Sequence, residues 1–212
     1  MCIKNVHKIR PKMISVGLLL WAVFMLKVEG ANAFDLRDAA EIGTAYTTHL
    51  FLHELGHQVV ADEVDADSHQ MKFFTVKDGR FYPGLSLYKD IPEESKLPYA
   101  AGGDRMASCT FEFALESYRR KPTTFNQSLM FFSCIDFLVY TLLANYIHPD
   151  DKMYDPNLIR SSTGCSKELL LSLVAAKSLM NGYRVMHPNA NFAPMIWLDE
   201  ESAAFLVAFK FQ

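Results

Sequence analysis

The spacing of apolar residues along the chain predicts a mainly helical protein. A first helix is predicted from Asp38 to about Val64, because its apolar positions recur at helical spacing. Three further helices are predicted over about residues 104–120, 124–147 and 166–180. The third of these four helices has about 20 residues with one charge, which suits either a buried core helix or a membrane span.

A β-rich insertion separates the first two predicted helices. Between Met71 and Tyr88, aromatic and β-branched residues lie on both sides of Asp78-Gly79, a pair typical of a hairpin turn. The tail Ala203 to Gln212 predicts a short strand. The expected fold class is therefore α+β, mainly α, with a core of three to four helices and a small β-hairpin insertion.

Polar residues and glycines suggest where the helices begin and end. Asp104, after Gly102-Gly103, is a candidate N-cap of the second helix, and Ser166 is a candidate N-cap of the fourth. Gly182 has the position expected of a residue just past the end of that last helix. Residues 90–98 and 148–164 are expected to be loops.

The first 33 residues have the three parts of a secretory signal peptide. Basic residues at positions 4, 8, 10 and 12 precede an apolar run over 13–26 and the small-residue site Ala31-Asn32-Ala33. The run is short for a membrane span, which needs roughly 20 residues, although an uncleaved anchor is the alternative. Residues 34–212 would then form a single domain outside the cytoplasm, in the periplasm or cell envelope, with association to a membrane as a further expectation.

Composition limits the class of partner. The 212-residue chain is 50% hydrophobic and 13% aromatic, which is typical of a folded domain, and its formal net charge is −3. No basic stripe is available to neutralise phosphates, so nucleic acid is not an expected partner. Three cysteines follow the leader (Cys109, Cys134 and Cys165), and either one disulfide with a free thiol or three buried thiols would fit.

The segment His53-Glu54-Leu55-Gly56-His57 carries the clearest chemical signal. On a helix, residues four apart lie on one face, so two imidazoles can reach one metal ion. Zn2+ is the expected ion, since two imidazoles and a carboxylate suit it best. Glu54 would then act as general base toward the metal-bound water. His49 extends this face by one turn, either to orient substrate or as an ordinary polar residue.

The third ligand is open between three carboxylates. Asp136 is favoured because it is the one charge in an apolar helix, where a metal could be its partner. Asp104, which a cap role would explain, and Asp199 are the alternatives. A buried Asp136 bonded to Ser133 or Tyr140 would be a purely structural explanation.

With these residues the chain resembles the site-2 protease family of zinc metallopeptidases, over about residues 45–147. The resemblance lies in the motif at 53–57, the hairpin insertion, the helix opened by Ala100-Ala101-Gly102-Gly103, and an apolar helix with one aspartate. It implies His53 and His57 as ligands, Glu54 as base and Asp136 as the aspartate ligand. A pattern similar to the aspartate segment of that family, without its glycine, also occurs at 191–199, which keeps Asp199 open.

The expected function is a zinc metalloendopeptidase that hydrolyses peptide bonds of exported or membrane-associated proteins. Its partner would be a protein or peptide substrate docked as a strand beside the hairpin. The alternatives are a zinc-stabilised envelope binding or assembly protein without catalysis, and an envelope structural protein whose C-terminal strand pairs with a partner.

Overall fold

The computed structural model describes residues 35–77, 79–149, 151–200 and 202–209. The predicted export signal, residues 1–33, lies outside the described part, as does Asp78. The described helices are α1 (Leu36–Glu63), α2 (Lys96–Arg120), α3 (Thr124–Tyr146), α4 (Asp155–Thr163) and α5 (Lys167–Met186). The strands are β1 (Gln70–Lys77), β2 (Arg80–Leu87), β3 (Phe192–Asp199) and β4 (Ser202–Phe209), and a 3-10 turn spans Glu93–Ser95.

The predicted α+β class is confirmed, because the described residues are mostly helical with two small antiparallel hairpins. In the first hairpin β1 pairs with β2, with Gln70 opposite Leu87 and Lys77 opposite Arg80. In the second, β3 pairs with β4. The helix count differs from the expected three to four, since five helices are present among the described residues.

Three helices form the centre of the molecule. Helices α1, α2 and α3 pack against one another, while α4 packs on α2 and α5 packs on α3. One buried apolar cluster joins residues of α2, α3, α4 and α5, namely Leu97, Ala100, Phe137, Ile159, Leu170 and Val174. A smaller cluster joins α1 to α2 through Val60, Ala61 and Tyr99. Helix α2 contributes to both clusters and is therefore the common support.

Helix α2 begins earlier than predicted. It starts at Lys96, so Gly102 and Gly103 lie inside it and Asp104 is not its N-cap. Glycine normally disfavours a helix interior, but packing overrides that preference here. An alanine Cβ at Gly56 of α1 would lie 2.3 Å from the Gly102 carbonyl oxygen, so these two backbones touch.

Two polar contacts tie α2 to α5. The ammonium of Lys177 lies 2.6 and 2.7 Å from the two carboxylate oxygens of Asp104. Arg184, which is only 2% exposed, pairs with Glu112 through both carboxylate oxygens and lies over the ring of Phe111. Asp104 is therefore the partner of a buried lysine.

The remaining helix boundaries differ in part from the expected ones. Ser166 caps α5 as predicted and accepts a hydrogen bond from the Leu169 amide, but α5 continues to Met186, so Gly182 lies inside it. The predicted loop at 148–164 contains α4, which ends at Gly164 with a φ of 67°. The predicted tail strand is present as β4, and β3 is its unpredicted partner.

Helix α3 matches its predicted span closely. Of the described helices, it alone has the length and apolarity of a membrane span, a property that buried core helices share. Its residues Leu129, Met130 and Phe137 are buried within the protein. The three cysteines after the leader are free thiols, and Cys109 is exposed, so neither a disulfide nor three buried thiols is found among the described residues.

The close approach of α1 and α2 generates a stability prediction. Gly56→Ala is expected to destabilise the protein by about 1–3 kcal/mol, because its methyl group would overlap backbone atoms of α2. Gly43→Ala, on the same helix with open space around its Cβ position, is expected to stabilise by about 0.5–1 kcal/mol. Urea denaturation followed by circular dichroism measures both, and equal effects of the two changes would contradict the proposed contact.

Candidate metal centre

Two histidines of α1 face each other one helical turn apart. The side chains of His53 and His57 are 8% and 3% exposed, and their Nε2 atoms lie 3.3 Å apart. Their spacing of four residues on a continuous helix puts both rings on the same face. The predicted pair of imidazoles is therefore brought together in the interior.

A carboxylate from α4 lies opposite the two rings. Asp155 Oδ2 is 3.2 Å from His57 Nε2 and 3.7 Å from His53 Nε2. Asp155 is the first residue of α4, followed by Pro156. The preceding loop is fixed by Asn157, whose Nδ2 donates to the carbonyl oxygens of His148 and Asp151. Three buried side chains thus converge on one point, and such a group could hold a metal ion.

The orientation of His57 is set by α2. Its Nδ1 lies 2.7 Å from the carbonyl oxygen of Tyr99, which can only accept a hydrogen bond. Nδ1 therefore carries a proton, and Nε2, which faces Asp155, is the nitrogen that the neutral ring offers to a metal ion. This is the tautomer that a metal ligand requires.

Gly103 makes room beside the two Nε2 atoms. A Cβ at this position would lie 2.4 Å from His53 Nε2 and 2.6 Å from His57 Nε2. Only a residue without a side chain can take this position, so the space beside the two Nε2 atoms stays open.

Asp136 contacts His53 on the other side of its ring. Asp136 Oδ2 lies 2.8 Å from His53 Nδ1, and its Oδ1 lies 3.3 Å from Nε2 of His49. Neither contact has hydrogen-bond geometry, and both ring nitrogens of the buried His49 lack a hydrogen-bond partner. His49, His53 and Asp136 form a second group that could hold a metal ion, in which the two histidines are buried and Asp136 is partly buried. Asp136 is thus near the motif, but it does not contact the Nε2 atoms of His53 and His57.

Glu54 lies beside these histidines and beneath β2. The residue is 6% exposed, and a Cβ at Gly84 would lie 2.4 Å from its Oε1, so the strand passes directly over the carboxylate. Strand β2 is fixed to α1 by Ser86, whose hydroxyl donates to the Glu54 carbonyl oxygen and accepts from Gln58. Burial raises the pKa of Glu54, although the neighbouring His53 and His57 oppose that shift.

The electrostatics of the site are those of a negative cluster around two imidazoles. Burial would raise the pKa of Asp155, but His57 and His53 hold it below its ordinary value. Asp136 is likewise held low by His53 and His49 against the effect of burial. The pKa of His53 and that of His57 are raised, because the adjacent aspartates outweigh burial, which acts in the opposite direction.

In the described part of the chain, no lysine or arginine forms an ion pair with these carboxylates. Among the described residues, only histidines form ion pairs with Asp136 and Asp155, and none pairs with Glu54. Buried carboxylates without a fixed cation are costly, and a divalent metal ion is a suitable partner. The donor atoms and the charge therefore fit a bound cation.

The two other carboxylates considered as ligands lie elsewhere. Asp104 pairs with Lys177 between α2 and α5. Asp199 ends β3, and its Oδ1 accepts a hydrogen bond from the Glu200 amide at the hairpin turn. Neither belongs to a potential metal-holding group in the described part of the chain.

Asp155 was missed by sequence reasoning, because residues 148–164 resemble a loop. One signal was available: an acidic residue followed by proline, apolar residues at 158 and 159, and Gly164 form the outline of a short helix. Recognition of that helix would have added the carboxylate at its start to the three carboxylates considered as ligands.

Comparisons with known proteins give no relative for this chain. No protein-family model, no curated protein and no solved structure matches it. Its function must therefore be inferred from the geometry and chemistry of its own residues.

The open space at Gly103 generates a prediction about metal binding. Gly103→Ala is expected to lower zinc affinity by about 10–100-fold, because the added methyl group would crowd both Nε2 atoms. Competition with a chromogenic chelator measures the affinity, and circular dichroism checks that the fold is kept. Gly43→Ala is the matched control, and wild-type affinity in Gly103→Ala would count against this assignment.

Proposed function

We propose that this protein is a zinc-dependent metallopeptidase in which His53, His57 and Asp155 bind the metal ion. The observation that carries the proposal is the triangle of His53 Nε2, His57 Nε2 and Asp155 Oδ2, with sides of 3.3, 3.2 and 3.7 Å. Tetrahedral zinc with bonds of about 2.1 Å separates its ligands by about 3.4 Å. The triangle has that size and leaves a fourth position for water or substrate.

In this proposal Asp155 takes the ligand role that the sequence had suggested for Asp136. Asp136 instead supports His53 from the Nδ1 side, with His49 as its second neighbour. A carboxylate beside the non-ligating nitrogen of a histidine fixes the ring and makes the other nitrogen a better ligand. Two imidazoles and one carboxylate favour zinc among common divalent ions.

Glu54 supplies the proton transfer. When bound, a zinc ion lowers the pKa of a coordinated water and polarises the peptide carbonyl. Glu54 takes one proton from the attacking water while the oxygen of that water bonds to the carbonyl carbon. The same carboxyl group then gives that proton to the amide nitrogen as the C–N bond breaks, which leaves a carboxylic acid and an amine. The raised pKa of Glu54 suits a group that both accepts and donates this proton.

The setting of the enzyme follows from the leader and the resemblance described above. Export of the chain would give it protein substrates outside the cytoplasm, in the periplasm or at the cell envelope. Strand β2 lies over Glu54 and offers a backbone next to which an extended substrate could be held.

Substitution of the ligands tests the proposed metal set. His57→Ala and Asp155→Asn are each expected to lose most bound zinc, because each removes one of three ligand atoms. Asp136→Asn is expected to keep zinc with about 10–100-fold lower affinity, as for other groups that support a ligand. Elemental analysis after equilibrium dialysis and chelator competition give these values.

The zinc content of the Asp155→Asn and Asp136→Asn variants decides which aspartate is the third ligand. Full zinc content in Asp155→Asn together with complete loss in Asp136→Asn would restore Asp136 as the third ligand. Full zinc content in His57→Ala would contradict the proposed metal centre as a whole.

Substitution of the base tests catalysis separately from binding. Glu54→Gln is expected to lower peptide hydrolysis by about 10²–10⁴-fold while zinc content stays at the wild-type level. Glu63→Gln, at an exposed position of the same helix, is the matched control and should retain full activity. Unlabelled protein substrates analysed by mass spectrometry give the rates without a prior choice of cleavage site.

Two results would argue against an enzyme. Hydrolysis in Glu54→Gln equal to that of the wild type would exclude Glu54 as the base. A zinc-loaded wild-type protein that hydrolyses no substrate would favour a metal-stabilised binding or assembly protein.

A further inference from the structure

Two clefts meet at Glu54, one on each side of it. A cavity of about 250 Å³ contains His57 and Asp155 in its walls, and another of about 390 Å³ contains His53. Both cavities share Glu54, Gly84 and Tyr140. A polypeptide lying across Glu54 must therefore extend into both cavities, with one side chain on each side of the bond that is cut.

The larger cavity, here called the apolar cleft, has walls of aromatic and aliphatic side chains from α1, β2 and α3. Four of them are more than one-third exposed: Tyr46, Phe81, Val139 and Leu143. Large apolar side chains that remain open to solvent around a concave site are typical of a binding surface. The histidines and carboxylates of this cleft, namely His49, His53, Glu54 and Asp136, already belong to the two groups of the candidate metal centre.

The smaller cavity, here called the lysine cleft, has a different character. Lys77 from the end of β1 and Lys152 from the loop before α4 both line it. In the described part of the chain neither lysine forms an ion pair, and the carboxylates of this cleft, Glu54 and Asp155, are committed to the centre. Two ammonium groups that line one cavity and form no ion pair with any described residue favour an acidic ligand.

We propose that the substrate is a polypeptide segment with a bulky apolar residue on one side of the cleaved bond and an acidic residue on the other. The apolar residue enters the apolar cleft, and the carboxylate pairs with Lys77 and Lys152. This inference rests on the proposed peptidase function, since it takes Glu54 as the position of the cleaved bond. Its basis is the difference in chemistry between two cavities that share one base.

Defined octapeptides test this preference with the full chain. The probes have Phe and Glu at the two central positions, and both orders of these residues are made. In the matched control peptides, either Glu is replaced by Lys or Phe is replaced by Ala. Binding to the Glu54→Gln variant is measured by fluorescence anisotropy, and hydrolysis by the zinc-loaded wild type by mass spectrometry. The better Phe/Glu order is expected to bind at least about tenfold more tightly than either changed peptide, a difference that corresponds to about 1.4 kcal/mol.

Variants of the two clefts assign the preference to its residues. Lys77→Glu combined with Lys152→Glu is expected to invert the preference between the Glu and Lys peptides. Lys72→Glu, an equal charge change at an exposed position of the same strand, should leave it unchanged. Leu143→Ser should reduce the preference for Phe over Ala about threefold or more, while Leu179→Ser, exposed on α5 and outside both clefts, should not.

The outcomes separate this inference from the proposed function. Hydrolysis of all peptides at similar rates, or an equal effect of the Lys72 control, would overturn the inference and leave the peptidase intact. Selective binding without any hydrolysis by the wild type would sustain the two-cleft preference and overturn the peptidase. Absence of binding by every peptide would also overturn the inference.

Discussion

The contact between the backbones of Gly56 and Gly102 determines how α1 and α2 cross, and the candidate site depends on that crossing. Neither position tolerates a Cβ, since each would lie within 2.5 Å of the opposite carbonyl oxygen. Because the two helices touch at this point, the carbonyl of Tyr99 reaches His57 and Gly103 lies against both Nε2 atoms. In the proposed site the two histidines are on α1, but their orientation and free space are provided by α2.

The carboxylates near α2 have different kinds of ion-pair partner on its two sides. Toward α5, the acidic residues Asp104 and Glu112 are neutralised by Lys177 and Arg184 of the same chain. Around the histidines of α1, the carboxylates Asp136 of α3 and Asp155 of α4 have only imidazoles as ion-pair partners among the described residues. The carboxylates that face α5 thus have lysine and arginine partners, whereas those around His53 and His57 do not. This excess of negative charge is consistent with a cation bound beside the two histidines.

Much of this arrangement could be predicted from local sequence signals, and the failures have common physical causes. The first helix with its His-Glu motif and the hairpin around Gly79 follow from periodicity and turn chemistry. The start of α2 was misplaced, because paired glycines suggest a helix boundary, whereas here they serve a close packing contact that only the tertiary structure reveals. Asp155 was missed for a different reason: its nine-residue helix is short and polar, so it has few apolar positions by which to distinguish it from a loop. The site residues on one helix were accessible to sequence reasoning, while the carboxylate that approaches from a distant segment was not.

The origin of that carboxylate has a consequence for folding. Asp155 is separated from His57 by about 100 residues, so a metal bound by both would close a chain loop of that length. Such a link restricts the unfolded chain in the way that a long-range disulfide does, and it forms only once α1, α2 and α4 are assembled. Metal binding and completion of the fold would then be one thermodynamic event. The metal-bound protein, which is the proposed active state, would also be the state most resistant to unfolding.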